Sequence, residues 1–267
     1  MWAIFKKSFR DKLTSGLIYT GVGLFMLLIY LFMQPNLSQN MQVYSDLIKI
    51  IPSNLLKAFN ADISAIASLE ATLSSKQYGM LWPFITIIFS TTIASASFAG
   101  EIDRKTISIL LAQPISRAKI FWAKYLAGLT LLILYVLIVI PTTVFLAPIF
   151  NIEVNELNFL KFTIEAIFFV IAFYSLSTAI SVFASETGIV YFITIGLCIG
   201  MYFVKVISLI LEQLDGLKYF SVFYYYDPIR SLVNGELMPI GLLLFAIVSG
   251  ISVIMAYFRF IKRDITV

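Results

Sequence analysis

Long apolar stretches recur along the chain and are separated by polar segments. Six of them are long enough to be membrane spans: about Gly16–Met33, Gly79–Ala99, Phe121–Phe145, Phe162–Ala184, Ile189–Leu211 and Pro239–Phe258. A helix of about 20 mostly apolar residues crosses the hydrocarbon core of a bilayer. The stretches lack the polar–apolar alternation of barrel strands. The pattern therefore predicts an all-α integral membrane protein, with six transmembrane helices in a single domain covering residues 1–267.

The composition agrees with this class and removes several kinds of chemistry. Of 267 residues, 60% are hydrophobic and 13% charged, whereas soluble domains are roughly half apolar and a quarter charged. The chain has no His and one Cys. It therefore lacks the side chains for a Ser-His or Cys-His catalytic centre, a histidine general base, a structural zinc site or an internal disulfide. The net charge of +4 gives no indication of nucleic-acid binding.

The basic residues are unevenly divided between the two sides of the predicted bundle. With the N-terminus inside, the inner segments carry Lys6, Lys7, Arg10, Lys12, Arg104, Lys105, Arg117, Lys119, Lys124, Arg259, Lys262 and Arg263. The outer segments carry only Lys49, Lys57, Lys76, Lys161, Lys218 and Arg230. Because inner loops of membrane proteins are enriched in Lys and Arg, we expect both termini to be cytoplasmic.

The N-terminal residues show a short amphipathic pattern. Trp2, Phe5, Phe9 and Leu13 recur every three or four residues, and basic residues fill the intervals. This spacing favours an interfacial helix on the inner membrane surface, attracted to anionic lipid. The alternative is a disordered basic tail.

The inner connection between the second and third spans carries the most specific pattern in the chain. Glu101 and Asp103 suit the positive end of a short helix, and Pro114 would stop that helix. Ser116 then stands where it can cap the third span. In a helix, one face would present Ile102, Thr106, Ile109 and Leu110. We therefore expect a small amphipathic helix folded against the cytoplasmic ends of the spans.

This connection resembles the signature loop of ABC-2-type transporter permeases, which has the form E-x-x-x-G-T-x-x-x-L-L followed by P-[VI]-S-R and a Lys. The matching residues are Glu101, Thr106, Leu110, Leu111, Pro114, Ile115, Ser116, Arg117 and Lys124. Lys105 stands where the family usually has Gly. In the outer loop, Ile51–Phe59 with Asp62 and Ile63 is similar to a P-x-x-L-x-A-F loop of bacterial and archaeal members.

The resemblance implies a function and partners. Two six-span permeases, as a homodimer or a heterodimer of paralogues, would pair around a central path in the plasma membrane of a bacterium or archaeon. Two copies of an ATPase, carrying ATP and Mg²⁺, would dock on the inner loops, which act as coupling helices. The docking and coupling residues would be Glu101, Arg104, Thr106, Pro114, Ser116 and Arg117. The alternative is that these charges only set the membrane topology.

The ATP-binding subunit is expected to be a separate chain. A P-loop requires G-x-x-x-x-G-K-[ST], whose backbone and Lys hold the phosphates. Gly16 and Gly21 have the right separation, but Val22 follows them. We therefore predict that this chain is not an enzyme and binds no cofactor of its own.

Polar and small residues inside the spans have two interpretations. Ser177, Ser181 and Ser185 form a stripe on the fourth span, and Gly196 and Gly200 form G-x-x-x-G on the fifth. They would either line a translocation path or allow close helix packing and dimerisation.

The alternative functions depend on the charges within the spans. An ion-coupled secondary transporter is the main alternative to an ATP-driven exporter, but it would need several buried charges, and Glu165 and Lys205 are the candidates. Glu165 has Lys161 one turn away as a local partner, and Lys205 has the length to reach the outer headgroups. An intramembrane enzyme would need Lys205 beside a facing Ser. Ser208 is on the same helix and close to the membrane edge, so we regard this as the weakest hypothesis.

Overall fold

The computed structural model describes residues 1–40, 68–107 and 114–263. Within these ranges every regular element is a helix, and six helical segments are long and apolar enough to cross a membrane. This confirms the predicted all-α class and the number of spans. The outer-loop pattern Ile51–Phe59, with Asp62 and Ile63, lies outside the described residues.

Ten α-helices lie within the described ranges. They are α1 (Trp2–Gln39), α2 (Leu69–Thr72), α3 (Trp82–Ser97), α4 (Ala99–Asp103), α5 (Arg117–Leu146), α6 (Glu156–Phe183), α7 (Thr187–Ile210), α8 (Val222–Tyr225), α9 (Pro228–Leu232) and α10 (Pro239–Lys262). A π-helical segment, Leu73–Leu81, joins α2 to α3 without a break, and 3₁₀ segments cover Ala147–Phe150 and Glu212–Phe220.

The N-terminal segment does not form the separate interfacial helix that its spacing suggested. Residues 2–39 are one continuous helix of 38 residues, with Trp2 stacked on Phe5 and Phe5 on Phe9. The sequence has no Pro before Pro35 to interrupt it. At 1.5 Å per residue, such a helix spans roughly 57 Å, well beyond the hydrocarbon thickness of about 30 Å, so its ends extend out of the core.

Helix α6 lies at the centre of the bundle. It packs against α3, α5, α9 and α10, and it is the most buried of the six spans. Close approach is possible where small residues face their neighbours. At Gly128 on α5, a Cβ atom would lie 2.2 Å from the Tyr174 hydroxyl and 2.6 Å from the Ile93 side chain. Only glycine fits at this point of α5, which faces Tyr174 of α6 and Ile93 of α3. Small residues are typical of packing interfaces in membranes.

The bundle has two distinct ends. The loop end, as we call it, carries the start of α1, the residues around α4, the α6–α7 turn and the end of α10. At the other end, α8 and α9 fold back into the bundle, with Phe223, Tyr226 and Leu232 buried.

Candidate functional site

The inner connection begins with a sharp change of direction after the second span. Phe98 has φ −129° and ψ −70°, which interrupts the helix between α3 and α4. Helix α4 then covers only Ala99–Asp103. The sequence predicted a single amphipathic helix that starts near Glu101 and includes Thr106. That prediction is wrong in detail, because the chain leaves the helix after Asp103 and only Ile107, before the undescribed residues 108–113, is helical again.

A hydrogen-bonded cap ends α4. The Thr106 amide donates to the Glu101 carbonyl at 2.9 Å, and the Lys105 amide donates to the Ile102 carbonyl at 2.9 Å. These are the two bonds of a Schellman motif. In this motif the residue that directly precedes the final N–H donor takes a left-handed conformation. Lys105 is that residue, with φ +56°. Glycine is favoured there because a Cβ is unfavourable at positive φ, which gives a physical reason for the Gly in the resembling pattern.

A buried lysine of the third span holds α4. Lys124 is 1% exposed, and its ammonium forms an ion pair with Glu101. It also donates to the Ser97 carbonyl at 2.9 Å and lies 5.7 Å from the Phe98 ring centroid. The carbonyl of Ser97 belongs to the last turn of α3, where helical carbonyls lack partners of their own. Lys124 therefore joins the end of α3, α4 and α5 in one contact.

The fifth span is tied to α4 through its first residue. The Thr187 hydroxyl donates to Asp103 Oδ2 at 3.3 Å, and the Thr187 amide lies 3.5 Å from the same oxygen. Thr187 is the first residue of α7, so an acidic group here also suits the positive end of the helix dipole.

Two arginines connect the remaining spans at this end. Arg117 Nη1, at the start of α5, donates to the Ile261 carbonyl at 3.0 Å and to the Arg263 carbonyl at 2.6 Å. Arg263 in turn donates to the Ala184 carbonyl at 2.8 Å and to Ser185 Oγ at 2.7 Å. Each guanidinium thus caps carbonyls at the end of another helix, α10 in the first case and α6 in the second.

Burial changes the pKa of Arg263, the second of these arginines. Desolvation, followed by the neighbouring Arg259, lowers the pKa of the Arg263 guanidinium from its ordinary value. Since an arginine in a protein is not deprotonated, the cap keeps its charge.

The predicted docking residues fall into two groups. Arg104, Thr106, Pro114 and Ser116 are exposed. Glu101 and Arg117 are instead bonded to other helices of the same chain. Ser116 is the residue before α5, as predicted for a cap, but its side chain makes no capping hydrogen bond.

The serine stripe of the fourth span makes contacts between helices. Ser177 Oγ lies 3.4 Å from Thr91 Oγ1, and Ser181 Oγ donates to the Ala94 carbonyl at 2.9 Å while accepting from the Ala99 amide at 3.1 Å. Ser185 is exposed and accepts from Arg263. Within one chain, Ser177 and Ser181 thus lie at the junction of α3 and α6, in contacts typical of helix packing.

Gly196 and Gly200 lie on an open face of α7. Both are exposed, and no atom of the described chain would lie within 4 Å of a Cβ added at either position. Exposed apolar side chains surround them on the same helix, namely Phe192, Ile193, Leu197, Ile199 and Phe203. The G-x-x-x-G pattern therefore serves no packing among the described residues.

Glu165 and Lys161, both on α6, each bond to a backbone group elsewhere in the chain. Glu165 does not use Lys161, because Glu165 Oε1 accepts from the Asp227 amide at 2.8 Å and Lys161 Nζ donates to the Gly235 carbonyl at 2.7 Å. Ser208 Oγ donates to the backbone carbonyl of Lys205 at 2.7 Å. Over the described ranges, no group of three His, Cys, Asp or Glu side chains is arranged to hold a metal ion.

Three residues that bond the inner connection and the helix ends around it were not identified as site residues from the sequence. Lys124 was noted only as a match to a pattern, although a lysine inside an otherwise apolar helix usually marks a buried partner. Asp103 and Arg263 gave no comparable signal, since their partners lie about 80 residues away along the chain.

Comparison with known proteins identifies a family. A model of ABC-2 family transporter proteins matches residues 2–265. No curated protein matches the chain.

Proposed function

The chain belongs to the ABC-2 family of transporter proteins, and on that premise we propose that it forms the transmembrane path of an exporter driven by a separate ATPase. It is a multi-pass membrane protein and the permease component of an ABC transporter, not the ATPase itself. The proposal concerns the direction of transport, the docking surface, the pairing of two copies and the location in a bacterial or archaeal plasma membrane.

The bonding at the loop end is the observation that supports coupling. Lys124, Asp103 and Arg117 tie the inner connection to five of the six spans, through bonds to α3, α5, α7 and α10 and, by way of Arg263, to α6. A force applied to this connection would therefore reach most of the bundle.

The exposed residues and the bonded residues of the connection have different roles in this proposal. Arg104, Thr106, Pro114 and Ser116 supply the surface that the ATPase contacts. Glu101 and Arg117 transmit the movement, because they join that surface to the spans. This differs from a docking role for Glu101, whose carboxylate is already paired with Lys124.

A charge reversal on the exposed surface tests docking. Arg104→Glu should abolish co-purification of the ATPase encoded beside this chain, because the surface would gain an unfavourable charge. Lys262→Glu is the matched control, since Lys262 is an exposed base at the same end but outside the connection. Equal retention of the ATPase by both variants would refute the assigned surface.

ATP dependence distinguishes the exporter from its alternative. When the chain is reconstituted with the ATPase, it should move substrate from its cytoplasmic side to its outer side only when ATP is present. Movement that follows an ion gradient without the ATPase would instead indicate a secondary transporter.

Pairing is proposed to use the open face of α7. A second copy would bury Gly196 and Gly200, whose small size allows helix backbones to approach closely. Single cysteines introduced as Gly196→Cys or Gly200→Cys, in a Cys198→Ser background, should form disulfide-linked dimers in membranes. Gly250→Cys on α10, also an open glycine, is the control; equal cross-linking there would contradict the pairing.

A further inference from the structure

A cavity of about 800 Å³ opens at the loop end beside the inner connection. It lies between the start of α1, the end of α3, α4, the start of α5 and the start of α7. Four basic and two acidic side chains line it: Lys7, Lys12, Arg104, Lys124, Asp11 and Glu101. The cavity is thus positive, although it lies next to an apolar bundle.

One of these bases is buried with few partners. Lys12 is 7% exposed, and among the described residues its ammonium donates one hydrogen bond, to the Ser8 carbonyl at 3.3 Å. An ammonium carries three donors. The charges that act on it are those of Lys124, Glu101 and Asp11. Glu101 already pairs with Lys124, and among the described residues Lys12 forms no ion pair with either Glu101 or Asp11.

A second polar group in the cavity wall also lacks a partner. Ser95 is 1% exposed, and its Oγ has no hydrogen-bond partner in the described chain. Other hydroxyls of the wall are engaged, since Tyr191 donates to Thr92 at 2.9 Å and Thr187 donates to Asp103. A buried hydroxyl without a partner is costly, so Ser95 and Lys12 are both placed to bind something that enters the cavity.

An anion in this cavity, which both residues line, would give each of them an acceptor. Buried charge needs a partner of opposite sign, and the excess of basic side chains excludes a cation. A phosphate offers several acceptor oxygens, which suits an ammonium with unused donors beside a hydroxyl donor.

We propose that this cavity binds a phosphate group, held by Lys12 and Ser95 and by the positive charge of Lys7 and Arg104. The phosphate belongs either to an anionic lipid headgroup or to a free ion. Exposed apolar residues follow Lys12 along α1, including Leu13 and Leu17, and would offer a surface to the acyl chains of a lipid. The cavity shares Arg104 and Thr106 with the ATPase contact proposed above, but the phosphate proposal rests on Lys12 and Ser95 and does not depend on that contact.

A bound phosphate would link parts that otherwise have few direct contacts. Lys12 belongs to α1, whereas Arg104 follows α4. The anion would bridge them and brace the inner connection against the first span. We therefore expect binding to stabilise the folded chain.

The test measures binding to the full-length chain in detergent. Native mass spectrometry would count retained phosphatidylglycerol and phosphatidylcholine, and thermal unfolding would be followed with each lipid and with sodium phosphate against sodium chloride at equal ionic strength. The variants are Lys12→Met and Ser95→Ala. Lys6→Met is the matched control, because Lys6 is an exposed base on the same helix that does not line the cavity.

We expect Lys12→Met to weaken binding roughly tenfold and Ser95→Ala to weaken it less, as suits the loss of a charged and a neutral donor. Lys6→Met should bind as the unaltered chain does. A shift in unfolding temperature with phosphatidylglycerol alone identifies a lipid headgroup, and a shift with sodium phosphate identifies a free ion. The proposal is overturned if neither ligand shifts unfolding, or if Lys6→Met and Lys12→Met weaken binding equally. Ser95→Ala keeps the test valid if Lys12→Met does not fold.

Discussion

Aromatic rings pack at both ends of the bundle, but the two ends differ in the polar contacts that accompany them. At the loop end, Lys124, Arg117 and Arg263 donate to backbone carbonyls of neighbouring helices. At the other end, an aromatic cluster fills the space between helices, formed by Tyr78, Trp82, Tyr135, Phe162, Phe169 and Tyr226. Side-chain rings packed from four parts of the chain resist movement in every direction, whereas long basic side chains restrain the particular helix ends that they contact.

The difference suggests a division between rigidity and transmission. Trp82 stacks on Tyr226 at 6.2 Å and on Tyr135 at 6.0 Å, and the Tyr226 hydroxyl donates to the Tyr78 carbonyl at 3.1 Å. Packing of this kind is the main source of stability between helices in lipid. The loop end also has packed rings, namely Phe98, Phe121 and Phe260. Its short connecting segments are held in addition by a few charged contacts, which suits a region that moves.

The largest effect on stability is therefore expected in the aromatic cluster. Trp82→Ala should destabilise the chain by about 4 kcal/mol, because it removes a fully buried ring and leaves a cavity. Denaturation of the purified chain in detergent measures this loss. Trp122→Ala is the control, since Trp122 is 37% exposed. If the two variants unfold alike, the aromatic cluster does not provide the rigidity assigned to it.

A smaller loss is expected when the central ion pair of the loop end is broken. Glu101→Ala leaves the Lys124 ammonium buried without its carboxylate, at a cost of about 3 kcal/mol. Glu101→Gln keeps a hydrogen-bond acceptor and should cost less. Lys124→Met, which removes the stranded charge, should recover part of the stability of Glu101→Ala when the two are combined. No recovery in the double variant would show that the pair does not act as a unit.

The smallest effect, and one of opposite sign, is expected at the cap of α4. Lys105→Gly should stabilise the chain by about 0.5–1 kcal/mol, because glycine tolerates the positive φ of this position. Lys105→Val should destabilise it, since a β-branched residue is strained there. Thermal unfolding of both variants provides the measurement. An identical unfolding temperature for the two would mean that Lys105 does not hold the left-handed conformation.

The sequence was most informative where the signal was repeated over many residues. Hydropathy located all six spans because each contains a long run of apolar residues. It did not show that α1 starts at Trp2, since the interval between Leu13 and Gly16 contains nothing that distinguishes a surface helix from a continuous one. The turn at Arg104–Thr106 was missed because it requires positive φ at a lysine, which side-chain periodicity does not report.

The sequence indicated which segment of the chain holds the candidate site, but not which helices its residues contact. The pattern around Glu101 and Arg117 located the inner connection, while the partners of Arg117 lie more than 140 residues further along the chain. Contacts of that range depend on how the spans pack, and a single sequence carries no direct sign of them. The distinction between exposed Arg104 and bonded Arg117 consequently emerges only from the fold.

The central claim is that Arg117 transmits movement from the docked ATPase to the spans. It can be tested with one labelling measurement at the far end, where Val233 is exposed. In a Cys198→Ser, Val233→Cys chain bound to its ATPase, ATP should change the rate of maleimide labelling. We predict that Arg117→Ala keeps the ATPase bound but abolishes this ATP-dependent change. A change in labelling rate as large as that of the parent chain would contradict the account.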